Sequence, residues 1–301
     1  MSVLSEELAG LTAQTAQAPI APRSGHRERV VWALAASSAA AAIALAIPSL
    51  RRVPADAPAI RFSVSPPQNV TLTQTTSQLA SLAVSPDGRR VAFVATRAGE
   101  VTRLWVRSFD SLEAEPLPGT ETAAQPFWSP DNRILGFFAS GKLKTIDASG
   151  GPAQSLCDAP NALGGAWNSD GVLVFGSIVG GLFKVAAAGG PPTSITVPNT
   201  SRGENAHRFP SFLPDGRRFV YVAAPSNTIW LGSLDAKDTM RLLSAESQAQ
   251  YAAPGYLLFA RQDTLMAQPF DVRPPAIVAE AANHLPVRTR FGKVRNGRAA
   301  R

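Results

Sequence analysis

The sequence predicts an all-β fold, a β-propeller of about five blades, preceded by one transmembrane helix. Two observations predict it: a tight turn that recurs through most of the chain, and an uncharged apolar segment near its beginning. The fourth positions of the five turns are residues 88, 132, 171, 216 and 255, at intervals of 44, 39, 45 and 39 residues. A period of about forty residues with several short strands in each repeat is typical of propeller blades.

Each turn has the composition of a β-hairpin connection. Proline at the second position fixes φ near about −65°, aspartate at the third bonds nearby backbone, and glycine or asparagine at the fourth adopts the left-handed conformation. The fifth unit, Ala253-Pro254-Gly255, is a degenerate version. Because the pattern recurs in every unit, we assign a structural role in turns to Pro86, Asp87, Gly88, Pro130, Asp131, Asp170, Gly171, Pro214, Asp215 and Gly216.

Short runs of β-branched and aromatic residues flank the turns and predict two paired strands per unit. A third strand follows each hairpin, whereas fourth strands are fainter, with residues 195–197 and 276–279 as the best candidates. Residues 60–64 and 70–73 also alternate apolar and polar side chains, and either is a candidate for a strand that joins the last blade and closes the ring. The number of units leaves open whether the ring is closed or truncated.

An apolar segment near the N-terminus predicts a membrane anchor. It begins at Val30, ends at Ile47, contains no charge, and has arginines on both sides. Eighteen helical residues rise about 27 Å, close to the thickness of the hydrocarbon core. A cleaved signal peptide and a buried soluble helix are the alternatives. The excess of arginine before the segment predicts a cytoplasmic N-terminus and an extracytoplasmic propeller at the bacterial inner membrane.

These patterns divide the chain into five parts. We predict a mostly disordered cytoplasmic leader at 1–29, the transmembrane helix at 30–47, a Pro/Ala-rich spacer at 48–59, the propeller at 60–282 and a disordered tail at 283–301. The tail has six basic residues and no acidic one, and the rest of the chain carries 23 basic against 22 acidic residues. The high pI therefore reflects the tail, and we expect no specific nucleic-acid ligand.

Two sequence blocks resemble a known family. Residues 82–93 and 207–221, together with the Gly-Gly-Pro turns that follow two third strands, are similar to the TolB-like, WD-repeat-like propellers of bacteria. With its leader, span and spacer, the chain also resembles the extracytoplasmic C-terminal region of membrane-bound bacterial serine/threonine protein kinases. That resemblance implies the sensor portion of such a protein. The kinase motifs, from the Gly-rich loop to Asp-Phe-Gly, are absent from the sequence, so we expect no kinase activity.

Few residues offer catalytic or metal chemistry. The three histidines are far apart in sequence, there is one cysteine, and no Gly-x-Ser-x-Gly motif occurs. We therefore expect neither catalysis nor a metal or cofactor. His207 and Arg208 precede the fourth turn and are candidates for contact at the channel mouth or in a loop. For His207 the alternative is hydrogen bonding to backbone between blades.

The predicted function is recognition, because a propeller presents loops at the two faces of a rigid disk. We expect a non-catalytic, membrane-anchored module that binds a protein or peptide partner or senses a ligand. The first alternative is a sensor fragment or partner subunit of a bacterial serine/threonine kinase. The second is a periplasmic propeller that is released after signal cleavage.

Overall fold

The computed structural model describes residues 67–73, 82–261, 264–273 and 275–277. Five antiparallel sheets follow one another along this part of the chain, which confirms the predicted all-β fold with five propeller blades. The predicted leader, transmembrane segment, spacer and tail lie outside the described residues, as does the candidate strand at 60–64. Within the described ranges, no helix combines the length and the apolar character needed to cross a membrane.

Each blade consists of short antiparallel strands. Blade 1 contains β1 (Val70–Leu72), β2 (Leu82–Val84), β3 (Arg90–Arg97), β4 (Arg103–Ser108) and β5 (Ala114–Pro116). Blade 2 contains β6 (Ala124–Trp128), β7 (Ile134–Ala139), β8 (Lys142–Asp147) and β9 (Gln154–Asp158). Blade 3 contains β10 (Ala162–Trp167), β11 (Val172–Ser177), β12 (Phe183–Ala186) and β13 (Thr193–Ser194). Blade 4 contains β14 (Ala206–Phe212), β15 (Arg218–Ala224), β16 (Thr228–Ser233) and β17 (Met240–Ser244), and blade 5 contains β18 (Gln250–Ala252), β19 (Tyr256–Arg261), β20 (Thr264–Val272) and β21 (Pro275–Ile277).

The first strands of successive blades lie side by side, in the order β2, β6, β10, β14 and β18. In a propeller these inner strands surround the central channel. Blade 1 differs because β1 pairs with the second half of β3 while β2 pairs with the first half. The expectation that residues 70–73 join the last blade is therefore wrong, since Leu72 lies opposite Ala95 of the first blade.

The outer strands depart most from the sequence prediction. The fourth strand of blade 3, β13 (Thr193–Ser194), begins two residues before the strand predicted at 195–197. In blade 5, β21 (Pro275–Ile277) overlaps the strand predicted at 276–279. Strands β5, β9 and β17 were not predicted. Each is partly or fully exposed along its length, and a strand with little to bury lacks the alternation that reveals inner strands.

Four apolar clusters hold the described blades together, and each lies between two successive blades. Burial of one large apolar side chain stabilises a fold by about 1.5–3 kcal/mol, so every blade depends on its neighbours. The cluster between blades 1 and 2 contains Leu135 and Trp128, and the cluster between blades 2 and 3 contains Phe127 and Leu173. The cluster between blades 3 and 4 contains Leu182 and Phe219, and the cluster between blades 4 and 5 contains Val220 and Leu257.

Candidate functional site

The inner strands of blades 2, 3 and 4 share a β-bulge. Gln125, Gly164 and Phe209 have φ of 52°, 76° and 51°, and each lies four residues before the first residue of its hairpin turn. The strand register shifts at each of these positions. Bulges re-aim side chains and are common beside functional sites. The bulged segments of these three inner strands are therefore the candidate site.

The sequence marks each bulge with a proline or a glycine. Pro126 follows Gln125 and Pro210 follows Phe209, while in blade 3 a second glycine takes that place. Because proline cannot donate to a strand ladder, proline inside a central strand indicates a bulge.

Close backbone packing fixes the bulge of blade 4. A methyl group on Gly164 would lie 2.7 Å from Phe209 Cδ1 and 2.8 Å from its Cα. A methyl group on Gly176 would lie 2.7 Å from both Arg208 Cα and the His207 carbonyl oxygen. Blade 3 therefore needs glycine at both positions, because the first half of β14 packs directly against the backbone of blade 3.

Backbone hydrogen bonds add to this contact between blades 3 and 4. Gly180 N–H donates to the Asn205 carbonyl at 2.9 Å, and His207 N–H donates to the Gly180 carbonyl at 2.8 Å. Gly180 and Ala206 thereby form a parallel bridge between the two blades.

His207 lies inside the protein, not at an exposed mouth. The residue is 2% exposed, and its ring centroid is 4.7 Å from that of Tyr221. Nδ1 lies 2.7 Å from the Thr196 hydroxyl and Nε2 lies 3.3 Å from Glu204 Oε2. Both partners belong to the connection between blades 3 and 4, so the ring contacts a loop, whereas its backbone N–H makes the bond between blades.

Glu204 is the buried charge of this connection. Its carboxylate accepts hydrogen bonds from Asn199 N–H at 2.8 Å and from Arg202 Nε at 2.9 Å, and the Arg202 guanidinium lies 4.3 Å from the centre of the Trp230 ring. Burial opposes the charged form, but the bonds from Asn199, Arg202 and His207 outweigh it and hold the pKa of Glu204 below its usual value. Burial lowers the pKa of His207, although Glu204 favours the protonated ring. The folded protein thus holds a neutral imidazole beside a carboxylate.

Arg208 lies on the opposite side of the blade 4 sheet. Successive residues of a strand point to opposite faces, and Arg208 pairs with Val222, which belongs to the apolar cluster between blades 4 and 5. The side chain is half-buried, and its Nε is fully buried without a hydrogen-bond partner. Burial lowers the pKa of this guanidinium.

The residues assigned to turns lie in the hairpin turns of the first four blades, and a fifth hairpin turn closes at Gly255. In each turn the N–H of the fourth position donates to the carbonyl of the first, at 2.8 to 3.3 Å. Gly88, Asn132, Gly171 and Gly216 have φ between 64° and 75°, whereas the degenerate Gly255 has φ of 159°. The turn chemistry therefore operates in the first four blades, with a variant in the fifth.

The turns differ in which side chain accepts the hydrogen bonds from the turn backbone. Asp131 Oδ1 accepts a hydrogen bond from Arg133 N–H at 3.1 Å and another from the Ser129 hydroxyl, and the hydroxyl is the main reason that the pKa of Asp131 is lowered. In blade 3, Asn168 Oδ1 takes this role and accepts from Asp170 N–H and Val172 N–H. Among the described residues, no cluster of three or more His, Cys, Asp or Glu side chains is placed to hold a metal ion.

Comparison with known proteins supports the fold. No protein-family model matches the chain. The uncharacterized peptidase YuxL of Bacillus subtilis is 28% identical over 146 residues, which are 48% of this chain and 22% of that protein. The chain thus spans about a fifth of the length of this curated relative.

Two solved structures have a similar fold. TolB from Acinetobacter baumannii matches with a TM-score of 0.51 and 11% identity over 64% of this chain and 52% of that chain. A chain of the nidogen/laminin complex matches with a TM-score of 0.52 and 12% identity over 62% of this chain and 74% of that chain. The fold is therefore that of a TolB-like β-propeller, and the resemblance to kinase-associated propellers stays a prediction.

Proposed function

We propose that this protein is a membrane-anchored, extracytoplasmic recognition module for a protein or peptide partner, and that it is not itself catalytic. The observation that carries the proposal is the array of five blades whose inner strands lie side by side and whose bulge in blade 4 is fixed by backbone packing. A rigid array with loops at its ends favours recognition over chemistry. A propeller similar in fold is found in a complex of nidogen with laminin, two different proteins.

The recognition function is tested by photo-crosslinking in living cells. A photoreactive amino acid replaces Gln125 at the bulge of an inner strand or, as a control, Glu115 on the exposed outer strand β5. We expect a discrete crosslinked species from position 125 and none from position 115. Crosslinking at neither position, or equally at both, contradicts the proposed recognition surface.

The anchor is supported by the apolar segment from Val30 to Ile47 and its flanking arginines. Two arginines near the middle of a span cost about 2.5–3.5 kcal/mol each on insertion scales. We expect Ala40→Arg with Ala41→Arg to move the protein from the membrane to the soluble fraction, whereas Ala40→Leu with Ala41→Leu keeps it in the membrane. Membrane retention of the arginine variant contradicts anchoring by this segment.

The orientation is tested with protease. A protease added to spheroplasts should digest the propeller, and the same protease added to inverted inner-membrane vesicles should leave it intact. Protection in spheroplasts rejects the proposed orientation. Sequencing of the mature N-terminus separates the anchored form, which retains residues 30–47, from a propeller released by signal cleavage.

A second candidate is a propeller that accompanies an enzyme. The similarity to part of the peptidase YuxL favours it, because the matched region covers 22% of that protein and leaves most of its length for other domains. A kinase partner, as the family resemblance implies, is the other form of this candidate. The test purifies the full-length chain from detergent-solubilised membranes and assays it for peptidase and kinase activity. Co-purification of a peptidase or a kinase in a stoichiometric amount supports this candidate, and a chain that purifies without either activity counts against it.

A further inference from the structure

We propose that Arg208 is a binding site for a carboxylate, namely the C-terminal or acidic side-chain carboxylate of a peptide partner. This inference rests on the proposed recognition function and names the chemistry of its ligand. It is carried by the position of Arg208 at the bulge, by its lack of a counter-charge and by the short inner strand of the neighbouring blade.

The backbone of Arg208 is held in place before any ligand binds. Its Cα lies against Gly176, where a methyl group would approach to 2.7 Å, and the next residue, Phe209, is in the left-handed conformation with φ of 51°. Proline follows Phe209 and restricts the chain further. A side chain that extends from so fixed a backbone loses less freedom on binding, which favours affinity.

Arg208 also lacks an ionic partner. Among the described residues no carboxylate lies within ion-pair distance of Arg208 or of the half-buried Arg90, whereas the half-buried Arg103 and Arg218 each have one. Its Nε is buried without a partner. Burial is the cause of its lowered pKa, with no contribution from a neighbouring charge. A half-buried cation without an anion is costly, and a bound carboxylate would remove this cost.

The inner strand of the neighbouring blade begins beyond the level of Arg208. Strand β14 has seven residues and begins at Ala206, whereas the inner strand β18 of blade 5 has only three and begins two residues before its turn. Counted back from the turns, Arg208 corresponds to Ser247, which precedes β18. No strand of blade 5 therefore runs beside Arg208 at this level of the channel.

The guanidinium selects the class of ligand. Its planar fork of N–H donors matches the two oxygens of a carboxylate, and such bonds are roughly twice as strong as those between neutral groups. One guanidinium carries one positive charge, which a single carboxylate neutralises and a phosphate dianion exceeds.

The test observes the arginine Nε–H signals of the full-length chain in detergent by NMR, with ¹⁵N-labelled arginine. The probes are N-acetyl-tetraalanine with a free carboxylate, the same peptide as its C-terminal amide, and inorganic phosphate at equal ionic strength. We expect the free acid to shift the Arg208 signal saturably and the amide to leave it unchanged. Arg133 is exposed and has no ion pair among the described residues, so its signal serves as the control.

Two variants sharpen the result. Neither variant retains the arginine signal, so isothermal titration calorimetry measures its affinity for the free acid: Arg208→Gln should abolish binding, and Arg208→Lys should weaken it by about tenfold because lysine lacks the fork. An equal response to acid and amide, a saturable response to phosphate alone, or an equal shift at Arg133 overturns the proposal. Carboxylate binding without crosslinking at position 125 refutes only the recognition function, whereas crosslinking without carboxylate binding refutes only the role of Arg208.

Discussion

The interface between blades 1 and 2 and the interface between blades 3 and 4 join similar repeats by different means. Blades 1 and 2 meet through side chains: the indole N–H of Trp128 donates to the Ala83 carbonyl at 2.9 Å, and the Arg90 guanidinium lies 4.9 Å from the centre of the Trp128 ring. Blades 3 and 4 share an apolar cluster too, but they also meet through backbone, at Gly176 and Gly180, and through the buried His207 and Glu204.

The difference shows that a constant turn spacing does not impose one kind of blade contact. An interface made by side chains depends on volume, and it weakens when a large residue is truncated. An interface made by backbone depends on the absence of a side chain, and it weakens when one is added. Both interfaces contain an apolar cluster, and the buried histidine makes the second one sensitive to pH as well.

The largest effect is expected at Trp128. Trp128→Ala should lower the free energy of unfolding by about 3–5 kcal/mol, because the ring is 6% exposed and contacts both blades. Trp128→Phe keeps an aromatic ring and loses the indole bond, so its effect should be much smaller. Urea denaturation of the full-length chain in detergent measures both. Similar losses in the two variants would mean that the hydrogen bond, and not the packed volume, joins blades 1 and 2.

A substitution that adds one methyl group tests the other interface. Gly176→Ala should cost about 2–3 kcal/mol, because the new methyl group meets the backbone of Arg208 and His207 at 2.7 Å. Gly180→Ala is the control: it has φ of 90° and open space around it, so only backbone strain of about 1 kcal/mol applies. Thermal unfolding curves compare them. An equal loss would indicate that close approach does not govern this interface.

The buried histidine predicts how stability depends on pH. Its pKa is lowered in the folded state, so the unfolded chain binds a proton first as the pH falls below the ordinary value of 6.5. Stability is therefore lost as the pH falls from there toward the lower folded pKa. For one titrating group, the free energy of unfolding changes by at most about 1.4 kcal/mol per pH unit. Glu204, whose pKa is lowered from 4.5, contributes a loss only at lower pH.

His207→Gln should remove this slope between pH 7 and pH 5.5, because glutamine does not titrate. Urea midpoints of the wild type and the variant at both pH values measure it, and Trp128→Phe serves as a control that changes the other interface. A variant as sensitive to pH as the wild type would assign the slope to other groups.

The smallest effect is expected at the turn of blade 2. Asn132 Oδ1 accepts a hydrogen bond from Asp87 N–H at 2.9 Å, across to the turn of blade 1. Asn132→Gly keeps the left-handed conformation and loses only this bond, so it should cost about 0.5–1 kcal/mol. Asn132→Ala loses the bond and adds strain at φ of 64°, so it should cost more. If the alanine variant is no less stable than the glycine variant, the left-handed requirement at this turn is refuted.

Much of the architecture was predictable because its signals are local. Proline, aspartate and glycine predict the turns, and short apolar runs predict the hairpin strands and the third strands. These signals act within a few residues. The outer strands β5, β9 and β17 escaped prediction because they bury little. The pairing of residues 70–73 with blade 1 also escaped, because an isolated alternating run does not identify the strand beside it.

The candidate site was less predictable. The sequence indicated His207 and Arg208 as a pair, but adjacent strand residues point to opposite faces, and only the packed sheet showed that one is buried beside Glu204 and the other lacks a partner. The need for glycine at positions 164 and 176 arises from strands of another blade, which no local pattern contains.

The sequence by itself determined the repeat, the turns and the number of blades, because hairpin formation depends on the conformational preferences of neighbouring residues. Tertiary structure alone decided how each pair of blades is joined, which inner strands bulge and which charged groups meet. Those features depend on the packing of strands distant in sequence, where a few tenths of an ångström determine whether a side chain fits and whether a charge finds a partner.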